Sequence, residues 1–71
     1  MNIYINGKEI NFDSEAITYE QIVESEYGDK TLLPTVMYTR GIENSSGELT
    51  PGKSVQAKSG MEFDVAFTGN A

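Results

Sequence analysis

Apolar and polar residues alternate at both ends of the chain and follow a helical period between them. Ile3 and Ile5 interleave with Asn2, Tyr4 and Asn6, while Ile10 and Phe12 interleave with Glu9, Asn11 and Asp13. Between the two runs lies Asn6-Gly7, the dipeptide best suited to a two-residue turn that needs positive φ twice. The pattern predicts an antiparallel hairpin with one apolar face. At Thr18 the period changes. Thr18 and Gln21 satisfy the capping-box spacing. Tyr19, Ile22, Val23 and Tyr27 then form one apolar stripe at i, i+3, i+4 and i+8, which leaves Glu20, Glu24 and Glu26 to face water. Glu20 also lies in the first turn, where the helix dipole favours a negative charge. Gly28 is placed to end the helix in a left-handed conformation, and Pro34 bars its extension.

Beyond Pro34 the period returns to two. Thr35–Thr39 is rich in β-branched and aromatic residues and reads as a strand. Gly41–Gly47 is polar and bounded by glycines, and reads as a loop. Glu48-Leu49-Thr50 leads into the Pro51-Gly52 turn. Ser54–Ala57 is a short predicted strand, followed by a turn at Lys58-Ser59-Gly60. In the last strand Met61, Phe63, Val65 and Phe67 face one way, and Glu62, Asp64, Ala66 and Thr68 the other. The predicted order is β-β-α-β-β-β, an α+β fold with one mixed sheet and a helix packed across it. The first and last strands would lie side by side and parallel, joined by the long crossover that parallel neighbours require. With no internal repeat or linker, residues 1–68 read as one domain and 69–71 as a C-terminal tail.

Composition narrows the chemistry. Histidine, cysteine and tryptophan are absent, which removes the commonest general base, the commonest metal ligands and any disulfide framework. No cofactor and no catalytic site of the chain's own are expected. Eleven acids against five bases give a net charge of −6. That balance disfavours nucleic acid and anionic membrane surfaces, both of which are bound through Lys and Arg, and it steers basic protein partners toward the chain. Met1 opens a strand-like run and not a basic leader, and no apolar stretch is long enough to span a bilayer. The cytoplasm is therefore the expected compartment.

Three segments carry a family resemblance: Ile17-Thr18-Tyr19-Glu20-Gln21-Ile22-Val23-Glu24, Leu49-Thr50-Pro51-Gly52-Lys53-Ser54-Val55, and Gly60-Met61-Glu62-Phe63-Asp64-Val65. In this order and spacing they resemble the bacterial multi-ubiquitin domain family, and the likeness covers essentially the whole chain. The resemblance implies a ubiquitin-like β-grasp fold. It also implies a protein modifier, whose members are encoded beside bacterial relatives of E1, E2 and deubiquitinating-type peptidases. An E1-like enzyme would activate the C-terminal carboxylate with ATP, an E2-like enzyme would pass it to a target protein, and a processing peptidase could act on the tail. The tail residues are then Gly69, Asn70 and Ala71. This end differs from the familiar Gly-Gly terminus: either a peptidase exposes Gly69, or a partner accepts the Asn-Ala end directly. A non-covalent adaptor and, less favourably, a sulfur carrier are the alternatives on the same fold.

Other constellations add less. Glu24 with Glu26, and Glu62 with Asp64, are paired carboxylates without a third ligand, and a solvated face accounts for them. Gly41–Gly47 lacks the Lys-Ser/Thr of a phosphate loop. Lys8, Lys30, Lys53 and Lys58 are acceptors for self-conjugation only in the sense that any exposed lysine is. Tyr4 and Met37 either share the helix-free face of the sheet as a partner surface or belong to the core.

Overall fold

A computed structural model of the chain describes residues 1–67. The elements run β1 (Asn2–Ile5), β2 (Lys8–Asn11), β3 (Ala16–Thr18), α1 (Tyr19–Tyr27), β4 (Thr35–Thr39), β5 (Ser46–Leu49), β6 (Ser54–Gln56) and β7 (Glu62–Ala66). Five of the strands form a mixed sheet in the order β2-β1-β7-β4-β5, and β3 and β6 form a separate two-stranded sheet. The arrangement is the expected α+β, ubiquitin-like β-grasp.

Local signals explain the first half. Asn6 and Gly7 adopt φ of 51° and 82°, the double positive φ that a tight hairpin demands, and pair Ile5 with Lys8 and Ile3 with Ile10. Thr18 caps α1: its hydroxyl accepts from the Gln21 N–H at 3.0 Å, and the Gln21 carboxamide accepts from the Thr18 N–H at 2.9 Å. Two orphan donors of the first turn are thereby satisfied. Gly28 closes the helix in the left-handed region, with its N–H on the Glu24 carbonyl at 2.7 Å.

The parallel pairing of first and last strands is present, with Tyr4 opposite Glu62 and Ile5 opposite Phe63. The core lies between the sheet and α1. Ile3 and Ile5 from β1, Val36 and Tyr38 from β4, Leu49 from β5, and Phe63 and Val65 from β7 meet Tyr19, Ile22 and Val23 of the helix. All are buried, as alternation on the strands and the i, i+3, i+4 spacing on the helix require. Ile17, Ala57 and Met61 close the core beneath the small sheet.

Four details differ from the sequence reading. Ser46–Leu49 is a strand antiparallel to β4, although Gly47 and its polar neighbours read as loop. The glycine has a packing cause: a Cβ there would stand 2.8 Å from the Tyr38 hydroxyl oxygen. Ser54–Gln56 is a strand, but it pairs with the unanticipated Ala16–Thr18 and not with the main sheet. The small sheet is tied to α1: the Tyr19 N–H reaches the Lys53 carbonyl at 3.1 Å, and the Glu20 carboxylate accepts from the Gly52 N–H at 3.0 Å. Phe67 leaves the apolar row and is 58% exposed. Its ladder neighbour would be Pro34, since Ala66 pairs with Thr35, and proline has no N–H to continue the pairing. Tyr27, the last residue of the helical stripe, is exposed as well.

Tyr19 joins the helix to the sheet. Its ring is buried and its hydroxyl donates to the Pro34 carbonyl. Burial first, with the charges of Glu20 and Glu48 adding, raises its pKa above the ordinary tyrosine value. Because the folded value lies above the unfolded one, the unfolded chain loses this proton first, and stability falls as pH rises past about 10. Tyr19→Phe is expected to cost about 0.5–1.5 kcal/mol at neutral pH and to flatten the loss of stability at alkaline pH. Urea unfolding across that pH range checks both; an alkaline slope unchanged by the substitution would contradict the assignment.

Candidate functional site

The end of β7 is built from the middle of the sheet outward. β7 lies between β1 and β4, so both of its edges are occupied. On the β1 side, the Tyr4 N–H donates to the Met61 carbonyl and the Asn6 N–H to the Phe63 carbonyl, each at 2.9 Å. There β1 runs out, because the chain turns away at Asn6-Gly7. The Asn6 side chain takes over the pairing. Its Oδ1 accepts from the Val65 N–H at 2.8 Å, and its Nδ2 donates to the Val65 carbonyl at 3.0 Å. The carboxamide thus supplies the donor and acceptor that a continuing β1 backbone would have offered.

The second hydrogen of Nδ2 is used too, donating to Glu26 Oε2 at 2.9 Å. Glu26 Oε1 stands 3.4 Å from Lys8 Nζ, and the glutamate side chain is only 15% exposed. Glu26 therefore does not stay on the wet side of the helix as its spacing suggested. It ties the C-terminal part of α1 to the hairpin turn and, through Asn6, to β7. Nothing in the sequence marked this role for Asn6, because the turn alone accounts for an Asn before Gly.

Phe67, the last described residue, stacks at a tilt on Tyr27, with ring centroids 5.3 Å apart. Two exposed aromatic rings thus stand beside the point where the chain leaves the sheet. Gly69, Asn70 and Ala71, the tail residues singled out from the sequence, lie outside the described residues, as does the proposed domain boundary at Thr68.

Tyr4 and Met37 project on the face of the sheet away from the helix, since Ile3, Ile5, Val36 and Tyr38 alternate with them into the core. They do not adjoin one another. Tyr4 pairs with Glu62 and Met37 with Asp64 on the intervening β7, and Glu9 and Glu48 are their outer neighbours. Tyr4 is half-buried and Met37 is 43% exposed. The face is acidic with two apolar positions. Arg40 reaches it, with Nε 3.9 Å from a Glu62 oxygen. Among the described residues no three His, Cys, Asp or Glu side chains gather as a metal site, and no helix is long and apolar enough to cross a membrane.

A family model described as Multiubiquitin matches residues 1–69. No curated protein and no solved structure gives a significant match.

The Asn6 bridge makes a prediction separable from the turn. Asn6→Gly keeps the positive φ but removes three side-chain hydrogen bonds, and is expected to destabilise the fold by about 1–3 kcal/mol. Asn6→Asp, which sets a carboxylate against Glu26 and the Val65 carbonyl, should cost more. Urea midpoints give the ranking; an Asn6→Gly chain as stable as the parent would contradict it.

Proposed function

Because the chain belongs to the multiubiquitin family, we propose that it is a ubiquitin-like protein modifier used through its C-terminal carboxylate. An E1-like enzyme activates that carboxylate: the carboxylate attacks the α-phosphate of ATP, pyrophosphate leaves, and an acyl-adenylate forms. The acyl group then passes from the adenylate, with release of AMP, to an E2-like enzyme, which hands it on to a target protein. This chemistry asks little of the modifier beyond a backbone that can enter another protein's narrow channel, and Gly69, which carries no Cβ, suits that need.

The supporting observation is the fixed end of β7. Ladders on both sides, with the Asn6 side chain extending one of them to Val65 and β4 pairing as far as Ala66, hold the strand to its end. A tail is presented in one direction when the strand before it cannot fray. The exposed Tyr27–Phe67 pair beside it offers an activating enzyme the kind of aromatic anchor that interfaces favour.

A non-covalent adaptor is the second reading, favoured by the placement of Tyr4 and Met37 on one open sheet face. The two readings divide on the carboxylate. With an E1-like enzyme and ATP, the modifier reading predicts an adenylate or enzyme-linked adduct, detected by intact mass, that is lost when Gly69, Asn70 and Ala71 are deleted. An adduct that forms equally well after the deletion would overturn it. Undiminished partner binding by a C-terminally amidated chain, with no adduct formed by the parent, would favour the adaptor.

A further inference from the structure

The groove between β5 and β6 includes neither Tyr4 nor Met37 and borders their face only at Glu48. It encloses about 540 Å³ and is lined by Ile42, Glu43, Glu48, Lys53 and Val55 among others, over a floor that includes Leu49 and Met61. Its position is informative. Met61 at its floor precedes β7, while Leu49 stands opposite Val36 and Val36 opposite Val65, so the groove flanks the sheet along the length of that strand. Its edge strand, β5, stands two strand spacings, roughly 10 Å, from β7.

Three observations bear on what the groove takes. First, β5 is an edge strand, hydrogen-bonded to β4 on one side and to no other described strand. Edge strands are commonly guarded by Lys or Pro. The opposite edge, β2, carries Lys8, but Ser46-Gly47-Glu48-Leu49 carries neither. Second, Ile42 is 50% exposed on the loop beside β5 and Val55 is half-buried on β6. Together they leave an apolar seat in the groove wall. Third, the lining carries Glu15, Glu43 and Glu48 against the single base Lys53. A second copy of the chain is a poor occupant, since each copy bears a net charge of −6 and like charges repel at close range.

We propose that this groove binds an extended basic segment of a partner protein by strand addition to β5. The partner's backbone pairs with the free edge of Ser46–Leu49. One of its aliphatic side chains rests on Ile42 and Val55, and its Lys or Arg side chains on the alternate positions meet Glu43 and Glu48. Main-chain pairing supplies affinity and the alternating pockets supply selection, as in other strand-addition sites. The site does not depend on conjugation through the tail.

The test uses the full chain, labelled for amide NMR and titrated with a capped hexapeptide of alternating lysine and valine. No activating enzyme is present, so the outcome is independent of the modifier reading. Shifts should concentrate at residues 41–50 and 54–56. The double variant Glu43→Lys and Glu48→Lys, and separately Ile42→Asn, should each weaken binding about tenfold or more, the scale expected of interface charges and anchors. All three positions are exposed, so the parent's amide dispersion should be retained. N-methylation of the peptide amides that face β5 should abolish binding. Any one of the following would overturn the proposal: no binding at millimolar peptide, equal binding of a glutamate–valine peptide, shifts centred on Tyr4 and Met37, unchanged affinity of the N-methylated peptide, or chain dimerisation in place of peptide binding.

Discussion

The parallel pairing of β1 with β7 is the constraint on which the other elements depend. It joins the two ends of the described chain at the centre of the sheet, so every element between them serves as its crossover. Parallel neighbours cannot be linked by a tight turn. The helix, the β4–β5 pair and the small β3–β6 sheet therefore have to fit within that excursion and cover the face it creates. Ile3, Ile5, Phe63 and Val65 are buried by this pairing, and the loop-closure entropy it costs is offset by the apolar surface removed from water. The pairing would stop at Phe63 if it relied on backbone alone. The Asn6 carboxamide carries it to Val65.

Much of this was legible from local rules. The Asn6-Gly7 hairpin, the Thr18–Gln21 capping box, the Gly28 stop and the Thr35–Thr39 strand each follow from one or two residues whose conformational needs are narrow. Their order implied the parallel neighbours. The gaps have equally local causes. Ser46–Leu49 looked like loop because Gly47 weakens a strand by propensity, yet it is what admits the Tyr38 ring. Ala16–Thr18 is short, and Thr18 is both the end of that strand and the helix cap, so the capping signal hid the strand signal. Phe67 continues the alternation on paper, but the ladder stops opposite Pro34. Of the candidate sites, Tyr4 and Met37 could be assigned to a face only once the register across β7 was known. The interest in Gly69, Asn70 and Ala71 came from family resemblance and not from any physical pattern, and those residues lie beyond the described structure.

The fold separates three surfaces. The end of β7 carries Phe67 against Tyr27; the helix-free face is acidic around Tyr4 and Met37; the groove lies beside the free edge of β5. Lys8 and Glu26 have a different part. They brace the hairpin turn against the helix, so the end of β7 is supported from its β1 side, where the backbone pairing is shorter.

The central claim, that β7 is held to its last residues as part of the core and not as a fraying end, is open to native-state amide hydrogen exchange. If it is right, the amides of Tyr4, Asn6 and Val65 exchange only through global unfolding. Their opening free energies should then equal the stability measured by denaturant and fall with the same denaturant dependence. A Val65 amide that exchanges through a local opening, far below the global value and insensitive to denaturant, would contradict the account.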